Sequence, residues 1–266
     1  MKINNFINKY KLEIDGYLVK LLVSSFFDDN INYNYELTKE ELEELESQIK
    51  RVIDGEPIQY VIGNVDFYGN IINVDKNVLI PRFETETLVE KTYNYIKKYF
   101  KGNIDILDLC TGSGCIAITL KKLTNGSVDA SDISTSALGV AITNAKNNNV
   151  KINFIESNIL DNIDKQYDVI ISNPPYIAFD EKIMDIVKDN EPNIALYAPD
   201  NGLFFYKEII KNCKKNLKDK NIIAFEIGYT QGEYLKEYAR KYFEDAKILV
   251  EKDLSGKDRY LFIINE

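Results

Sequence analysis

Two different spacings of apolar residues divide the chain. Up to about residue 65, apolar residues recur every three or four positions, which is the spacing of an amphipathic helix. The clearest helix starts at a capping box, with Thr38 as N-cap and Glu41 three residues later, and it ends at Gly55. Its apolar stripe consists of Leu42, Leu45, Ile49, Val52 and Ile53. An earlier stripe, predicting a further helix, consists of Ile14, Leu18, Leu21 and Leu22. The first segment is therefore predicted to be a small helical bundle.

A different pattern follows in residues 65–80. Val65–Tyr68 and Ile71–Val74 are short β-type runs on either side of Gly69 and Asn70. A two-residue turn of this composition predicts a β-hairpin. We expect it to link the helical segment to the rest of the chain.

From residue 84 onward, helical patterns alternate with short apolar runs. The runs that predict strands are 104–109, 128–131, 152–156, 168–172, 222–227, 248–251 and 260–264. The predicted helices are 88–99, 116–123, 137–147, 204–217 and 232–243, and a long irregular stretch at 177–202 could act as a lid. This alternation predicts an α/β fold with a doubly wound, seven-stranded, mostly parallel sheet whose last strand is antiparallel. The predicted domains are 1–64 (helical), 65–82 (hairpin linker) and 83–266 (sheet).

Charge is unevenly distributed in this chain of 266 residues. There are 33 Lys and Arg residues against 42 Asp and Glu residues, for a net charge of −9. Residues 1–80 contain 8 basic and 14 acidic residues, so they account for −6 of it. An acidic chain is a poor candidate for binding nucleic acid through its phosphates. The acidic helical segment is either a solvated bundle or a surface that recognises a basic partner.

The residue types that are absent also restrict the chemistry. The chain has no histidine, which excludes a Ser-His-Asp triad, a Cys-His pair and a His-ligated zinc site. Its three cysteines form no C-x-x-C motif, so neither a disulfide framework nor a metal site is expected. The polar N-terminus lacks the apolar core of a signal peptide, and no run approaches the roughly 18 apolar residues of a membrane span. We therefore expect a cytoplasmic protein that does not enter a membrane.

Candidate chemistry begins directly after the first predicted strand of the sheet. Gly112, Gly114 and Ala117 fit the G-x-G-x-x-G/A spacing of a nucleotide-binding loop, and Asp132 lies 18 residues beyond Gly114, just after the second strand. That is the position of a carboxylate that binds ribose hydroxyls. The pattern indicates a nucleoside-bearing cofactor, and NAD, FAD and S-adenosylmethionine all fit it.

A second motif, Asn173–Tyr176, follows the fourth strand of the sheet. Pro174 and Pro175 stiffen the backbone and would hold Asn173 and Tyr176 at the same sheet edge. An asparagine carbonyl accepts hydrogen bonds from an NH₂ group, and a tyrosine ring stacks on a flat group. The motif favours a planar substrate bearing NH₂, such as an amide or an amino-purine.

The motifs together resemble the release factor glutamine methyltransferases, a family of class I S-adenosylmethionine-dependent enzymes. The matching segments are 55–63, 79–86, the glycine-bearing loop, Asn173–Tyr176, Glu191-Pro192 and Asn201-Gly202. The resemblance implies a Rossmann-like methyltransferase fold. It also implies methyl transfer from S-adenosylmethionine to the side-chain amide nitrogen of the glutamine in the Gly-Gly-Gln loop of peptide-chain release factors. The helical segment would then help to recognise the release factor, and we expect a monomer with S-adenosylhomocysteine as the other product.

Site residues follow from the motifs and the resemblance together. The expected catalytic residues are Asn173, Pro174 and Tyr176: the Asn173 side chain and the Pro174 carbonyl would accept hydrogen bonds from the substrate amide, and Tyr176 would pack on its plane. The expected cofactor-binding residues are Asp108, Cys110, Thr111, Gly112, Ser113, Gly114, Asp132, Asn158, Ile159 and Asn173. The expected substrate-binding residues are Asn173, Pro174, Pro175, Tyr176, Arg82 and Glu86. No metal is expected.

Two positions depart from the family pattern. Cys110 stands where the family's cofactor loop usually begins with glycine, so a positive φ is not expected there. Phe83-Glu84 stands where Pro-Asp is usual, which we expect to be tolerated because Arg82, Thr85 and Glu86 are present.

Three other interpretations remain open from the sequence. A nucleic-acid methyltransferase acting on adenine or guanine could use the same Asn173–Tyr176 motif, although the acidic composition argues against it. An NAD-dependent oxidoreductase would explain the glycines and Asp132, but it leaves Asn173–Tyr176 without a role. A binding module without enzymatic activity is the third.

Overall fold

The computed structural model describes residues 1–27 and 30–266. They form two compact units, one of residues 1–64 with 183–190 and the other of residues 65–182 with 191–266. The predicted lid at 177–202 is thus divided between the units, because residues 183–190 belong with the helical segment.

The first elements are helical and end with a hairpin and a long helix. They are α1 (Ile3–Tyr10), α2 (Gly16–Phe26), α3 (Lys39–Ile53), α4 (Ile58–Ile62), β1 (Asn64–Phe67), β2 (Asn70–Asn73) and α5 (Phe83–Tyr99). Strands and helices then alternate. They are β3 (Asp105–Leu109), α6 (Cys115–Leu123), β4 (Ser127–Asp132), α7 (Thr135–Asn147), β5 (Asn153–Glu156), β6 (Tyr167–Ser172), α8 (Asp185–Asn190), α9 (Asn193–Leu196), α10 (Phe204–Asn212), β7 (Leu217–Glu226), α11 (Gly232–Arg240), β8 (Lys247–Lys252) and β9 (Asp258–Asn265).

The helical unit has a core of its own. The predicted capping box of α3 is present: the Thr38 hydroxyl accepts from the Glu41 N–H at 3.2 Å, and the Glu41 carboxylate accepts from the Thr38 N–H at 2.8 Å. Leu45 and Ile49 on the inner face of α3 are buried. The helix α1 was not predicted, although its buried residues Ile3, Phe6, Ile7 and Tyr10 have helical spacing.

The hairpin is present, but its turn lies one residue earlier than predicted. Tyr68 and Gly69 are the residues between the strands, with φ of 53° and 73°. Two successive positive φ values are typical of the turn that matches the twist of a tight hairpin. Asn70 instead starts β2 and donates its side-chain amide to the Phe67 carbonyl at 3.1 Å, which braces the turn.

The large sheet has seven strands in the order β5-β4-β3-β6-β7-β9-β8. All neighbouring pairs from β5 to β7 are parallel, while β9 is antiparallel to both β7 and β8. The prediction of a mostly parallel sheet with an antiparallel last strand is confirmed. The chain proceeds from β3 in one direction and from β6 in the other, so the strand order reverses between these two neighbours.

Both faces of the sheet are covered. Leu107 and Leu109 of β3 belong to a core with α10 and α11, which includes Tyr206 and Leu235. Because side chains alternate along a strand, Ile106 and Asp108 face the other side, where α5 and α6 pack. This is the doubly wound arrangement that the alternating sequence pattern predicts.

Some boundaries differ from the sequence expectations. The predicted helix at 204–217 ends at Asn212 and continues as a 3₁₀ turn, Cys213–Asn216, and β7 begins five residues earlier than its apolar run. The first residues of β7 are mostly polar because they extend beyond the buried part of the sheet. A prediction based on apolar runs therefore does not include them. The stretch at 177–202 contains the short helices α8 and α9.

Among the described residues, no helix is long and apolar enough to cross a membrane.

The capping box gives a test of the helical unit. Thr38→Ala removes the side-chain acceptor of the Glu41 N–H, so we expect the unfolding free energy of this unit to fall by about 1 kcal/mol. Urea denaturation followed by far-UV circular dichroism measures the loss. Thr38→Ser retains the hydroxyl and should behave as the wild type; equal destabilisation by both changes would contradict the capping role.

Candidate functional site

A cavity of about 330 Å³ opens at the carboxyl ends of the parallel strands, where the strand order reverses. Its volume is in the range of small-ligand sites, and its position is the one that open α/β sheets use for ligands. The loops after four strands contribute to its wall, namely Cys110–Ser113 after β3, Asp132–Ser134 after β4, Ser157–Ile159 after β5, and Asn173 and Pro175 after β6. Most of the predicted site residues are therefore brought together.

The loop after β3 turns sharply because alternate residues have left-handed backbone conformations. Cys110, Gly112 and Gly114 have φ of 57°, 54° and 81°. The expectation that Cys110 would avoid a positive φ is wrong. The turn is held on its far side by backbone bonds, since the Thr111 N–H donates to the Ser131 carbonyl of β4 and the Gly114 N–H donates to the Thr111 carbonyl, each at 2.9 Å. These bonds offset the roughly 1–2 kcal/mol that the left-handed conformation costs a residue with a Cβ.

Gly114, which forms the N-cap of α6, does not line the cavity but brings α6 close to α7. A Cβ at this position would lie 3.1 Å from the Cβ of Ala141, closer than ordinary van der Waals contact. Together with its positive φ, this explains why glycine is required at the second position of the glycine motif.

Asp108 lies behind the loop, fully buried on β3. Its Oδ2 accepts from the Thr111 hydroxyl at 2.5 Å, whereas Oδ1 is buried without a hydrogen-bond partner among the described residues. Burial raises the pKa of this carboxyl to about 7. An unpaired buried carboxylate oxygen is costly, and a donor from a ligand would relieve that cost.

Asp132 is in the cavity wall at the end of β4. Its carboxylate accepts from the N–H groups of Gly112 and Ser134, each at 2.9 Å, and so links the loops after β3 and β4. Burial raises its pKa, while these two N–H donors act in the opposite direction. The Asp132 carboxylate thereby fixes the two loops in the cavity wall and also presents its acceptor oxygens to the cavity.

The third loop contains a strained residue. Ile159 has φ of 52°, which is rare for a β-branched side chain. The Ser157 hydroxyl donates to the Ile159 carbonyl at 3.1 Å and accepts from the Asn162 N–H at 3.1 Å, which holds the turn. Asn158, also in the wall, donates its side-chain amide to Asp161 at 3.1 Å. The loop therefore presents a fixed apolar side chain and a polar one to the cavity.

Asn173 is oriented by a chain of hydrogen bonds. Its Nδ2 donates to the Thr85 hydroxyl at 3.2 Å, and that hydroxyl donates to Oε2 of Glu226 at 2.7 Å. With Nδ2 engaged by Thr85, Oδ1 is the Asn173 side-chain atom left to accept from a ligand. Pro175 lies in the wall with Asn173, and Pro174 between them is buried.

Tyr176 lies beside the cavity and not in its wall. Its ring packs partly buried against the core under α10, and its hydroxyl is 3.4 Å from Oε1 of Glu226. Burial raises the pKa of this phenol. The Tyr176 carbonyl accepts from Nε2 of Gln231 at 3.0 Å, and a Cβ at Gly202 would come within 2.0 Å of the same carbonyl oxygen.

Arg82 and Glu86 do not line the cavity. Arg82 forms an ion pair with buried Glu191, whose other oxygen accepts from the Ile80 N–H at 3.0 Å. This pairing secures the segment that places Leu79 and Pro81 in the wall. Glu86 is half-buried on α5.

Sequence reasoning missed three residues that support the site. Nothing in the sequence indicated a supporting role for Thr85 beyond its place in the segment 79–86, or for Gln231 beyond its place next to a predicted helix. Glu226 did give a signal, since it is the lone acidic residue in the predicted buried strand 222–227. Its burial, with only 2% of its surface exposed, shows that it belongs to the interior beneath the cavity.

The arrangement combines a glycine-rich loop, a carboxylate at the second strand and an oriented amide. Chemically, it can bind a nucleoside-bearing molecule along the loops after β3, β4 and β5. It can also present a hydrogen-bond acceptor to an NH₂ group at the end of β6. Among the described residues, no cluster of His, Cys, Asp and Glu side chains could hold a metal ion.

Comparison with known proteins finds matches over both units. Residues 85–190 match the model of the methyltransferase small domain, and residues 28–63 match that of the PrmC N-terminal domain. The release factor glutamine methyltransferase of Lactococcus lactis is 41% identical over 230 residues, which span 85% of this chain and 84% of that protein.

Solved structures share the fold at lower identity. A methyltransferase from Pyrococcus furiosus superposes with a TM-score of 0.55 at 17% identity, covering 82% of this chain and 96% of that one. The T. thermophilus 16S rRNA N2 G1207 methyltransferase, solved in complex with AdoMet and guanosine, gives a TM-score of 0.53 at 13% identity and covers 76% of this chain and 50% of that one.

The contact at Gly202 predicts a specific loss of stability. Gly202→Ala adds a Cβ in a left-handed conformation and drives it into the Tyr176 carbonyl, so we expect more than 2 kcal/mol of destabilisation. Gly256→Ala is the matched control, because Gly256 has a similar φ of 77° but open space around the added atom. It should cost about 1 kcal/mol. Thermal and urea unfolding compare the two, and equal losses would show that the contact with Tyr176 is unimportant.

Proposed function

Because the chain belongs to the release factor glutamine methyltransferase family, we propose that it transfers a methyl group from S-adenosylmethionine to the glutamine side-chain amide nitrogen in the Gly-Gly-Gln loop of peptide-chain release factors. The observation that supports this best is the orientation of Asn173. It stands in the cavity wall with Nδ2 bonded to Thr85 and with Oδ1 left to accept from an NH₂ group. A side-chain amide is a substrate that this acceptor fits.

The residues around the cavity fit the methyl donor. The Oδ1 atom of Asp108, buried and without a partner among the described residues, suits an ammonium group near the loop after β3. We propose that Asp108 and the loop Cys110–Gly114 hold the methionine part, with Asp132 at the ribose hydroxyls. Asn158 and Ile159 then flank the adenine, where the fixed Ile159 side chain offers an apolar surface.

Catalysis in this proposal depends on position more than on proton transfer. When bound, S-adenosylmethionine supplies a methyl group on a good leaving group, the sulfonium. The lone pair of an amide nitrogen is delocalised into its carbonyl, which makes it a weak nucleophile. Oδ1 of Asn173 and the Pro174 carbonyl would each accept one hydrogen of the NH₂ group, which favours positive charge developing on nitrogen and fixes its direction. As the N–C bond forms and the C–S bond of the sulfonium breaks, the amide nitrogen becomes acidic and releases one proton to water, so the chain needs no histidine base.

Tyr176 has a narrower role than the motif suggests. Because its hydroxyl lies near Glu226 and its ring packs on the core, we propose that it borders the substrate amide as a fixed apolar surface. Arg82 acts on the substrate through the backbone that its ion pair with Glu191 secures.

The helical unit is the proposed recognition element for the release factor. It includes most of the acidic excess of the chain, which suits a partner with a basic surface. We propose that the protein acts as a cytoplasmic monomer and binds no nucleic acid directly. The division of labour is then 1–64 for recognition, 65–82 as a linking hairpin and 83–266 for methyl transfer.

Methyl transfer can be tested directly by mass spectrometry. Purified release factor incubated with the protein and S-adenosylmethionine should gain 1 methyl group, on the glutamine of its Gly-Gly-Gln loop. Asn173→Ala should lower kcat by roughly a hundredfold or more, since the acceptor that orients the amide is lost. Asn212→Ala, an exposed asparagine at the end of α10, is the control and should not change kcat. A methyl group on rRNA or DNA, or on another residue, would overturn the proposed substrate.

Cofactor binding can be tested at Asp132. Asp132→Ala should weaken binding of S-adenosylhomocysteine at least tenfold in calorimetry, because a hydrogen bond to a charged group contributes about 1.5–3 kcal/mol. Asp132→Asn keeps the shape and should have an intermediate effect, whereas Asp245→Ala on the surface should have none. An unchanged dissociation constant in Asp132→Ala would contradict the ribose assignment.

A further inference from the structure

One buried carboxylate is linked to both functional side chains of the Asn173–Tyr176 motif, directly to Tyr176 and through Thr85 to Asn173. Glu226 ends β7 and is 2% exposed. Its Oε2 accepts from the Thr85 hydroxyl, which in turn accepts from Asn173, and its Oε1 lies 3.4 Å from the Tyr176 hydroxyl. A buried carboxylate is costly unless its oxygens accept hydrogen bonds. Because Glu226 is almost inaccessible to water, the hydroxyls of Thr85 and Tyr176 have to supply them.

The direction of each hydrogen bond follows from the charge on Glu226. An ionised carboxylate has only acceptors, so the Thr85 hydroxyl must donate its one hydrogen to it. The oxygen of Thr85 can then only accept from Asn173, which forces Nδ2 toward Thr85 and leaves Oδ1 for the substrate. Without this constraint, the Asn173 amide could rotate by 180° with little change of shape. The rotated form would place the Asn173 NH₂ group against the NH₂ group of the substrate, and no hydrogen bond could form between them.

We propose that Thr85 and Glu226 are positioning residues that fix the Asn173 amide with its oxygen toward the substrate. The proposal rests on the proposed function, since it assigns the residues that set up the same acceptor. Neither residue is proposed to act on the reacting atoms directly. Glu226 orients the Thr85 hydroxyl, and this hydroxyl orients the Asn173 amide. The same carboxylate holds the hydroxyl of Tyr176, so both ends of the motif share one anchor.

This arrangement makes methyl transfer sensitive to the charge of Glu226. Burial raises the pKa of this carboxyl to about 7, partly offset by the Thr85 hydroxyl and by Arg259 on β9. The ionisable groups that face it are Glu84, Cys115, Tyr176, Arg259 and Tyr260, and Tyr206 donates to its backbone carbonyl at 2.7 Å. Below this pKa the protonated carboxyl can donate to Thr85, whose own hydrogen then turns toward Asn173 and favours the rotated amide. Activity should therefore be present above pH 7 and be lost as the pH falls through it.

Three variants separate positioning from structure. Thr85→Val is nearly isosteric but removes the hydroxyl, so kcat for the release factor should fall roughly tenfold to a hundredfold, with the KM and the affinity for S-adenosylhomocysteine changed less than threefold. Thr85→Ser keeps the hydroxyl and should restore kcat to near the wild-type value. Glu226→Gln keeps an oxygen that accepts from Thr85, so it should retain kcat within about tenfold of the wild type at pH 8, because one hydrogen bond to an uncharged acceptor replaces a charge-assisted one.

The pH profile gives a result that a merely structural role would not produce. In the wild type, kcat should fall below about pH 7 with the slope of a single proton. It is measured at saturating cofactor, where the ammonium group proposed to contact Asp108 keeps that carboxyl ionised and leaves Glu226 as the group that titrates. In Glu226→Gln this acidic decline should vanish, because nothing at this position titrates. A decline that persists unchanged in Glu226→Gln, or a Thr85→Val variant as active as the wild type, would overturn the proposal.

A spectroscopic measurement keeps this proposal separate from the proposed function. The Asn173 side-chain NH₂ resonances of the ¹⁵N-labelled protein with S-adenosylhomocysteine are identified by their loss in Asn173→Asp. They should be protected from exchange in the wild type and exposed in Thr85→Val. If the wild type transfers no methyl group to release factor, the proposed function fails while this comparison still tests the hydrogen-bond chain. If Thr85→Val does not fold, the pH profile of Glu226→Gln decides.

Discussion

The parallel pairing of β3 with β6 is the constraint on which the site depends. These strands are neighbours in space although β4 and β5 separate them in sequence, and their carboxyl ends are locked together where the Ser172 hydroxyl donates to the Leu109 carbonyl at 2.6 Å. The reversal of strand order at this point opens the crevice in which the cavity lies. It also places the loop beginning at Cys110 beside Asn173. The glycine-bearing loop and the Asn173–Tyr176 motif, more than 60 residues apart in sequence, therefore meet at one cavity.

Much of this arrangement was predictable, because it depends on local patterns. Buried strands of an α/β sheet are runs of apolar residues, and the residues just after them must meet at one edge. The glycine spacing and Asp132 identified one part of the cavity, and Asn173 the other. The residues alone were compatible with NAD, FAD or S-adenosylmethionine as the cofactor, and family membership then selected S-adenosylmethionine.

What could not be predicted depends on long-range backbone contacts. The positive φ of Cys110 occurs in a turn whose next residue, Thr111, bonds to Ser131 on the neighbouring strand, and no local preference of cysteine reveals that contact. Arg82 was predicted to bind substrate from the motif and the family resemblance, and nothing in the sequence indicated that buried Glu191 is its ion-pair partner. Glu226 lies 50 residues after Tyr176 in sequence, and only the packing of β7 beside β6 brings the two together.

The carbonyl of Tyr176 connects three segments of the chain, and this has a consequence for how the sequence can vary. It accepts from Gln231 at the start of α11, and it leaves no room for a side chain at Gly202. The same glutamine caps the Gly228 N–H through its other amide atom at 2.9 Å, so its two ends are both engaged. Replacing Gln231 leaves two main-chain groups, the Tyr176 carbonyl and the Gly228 N–H, without this partner, and any side chain at Gly202 collides with the same carbonyl. The position of the Asn173–Tyr176 backbone therefore depends on the residue types at 202 and 231, both distant in sequence, whereas the carbonyl itself is present whatever residue occupies position 176.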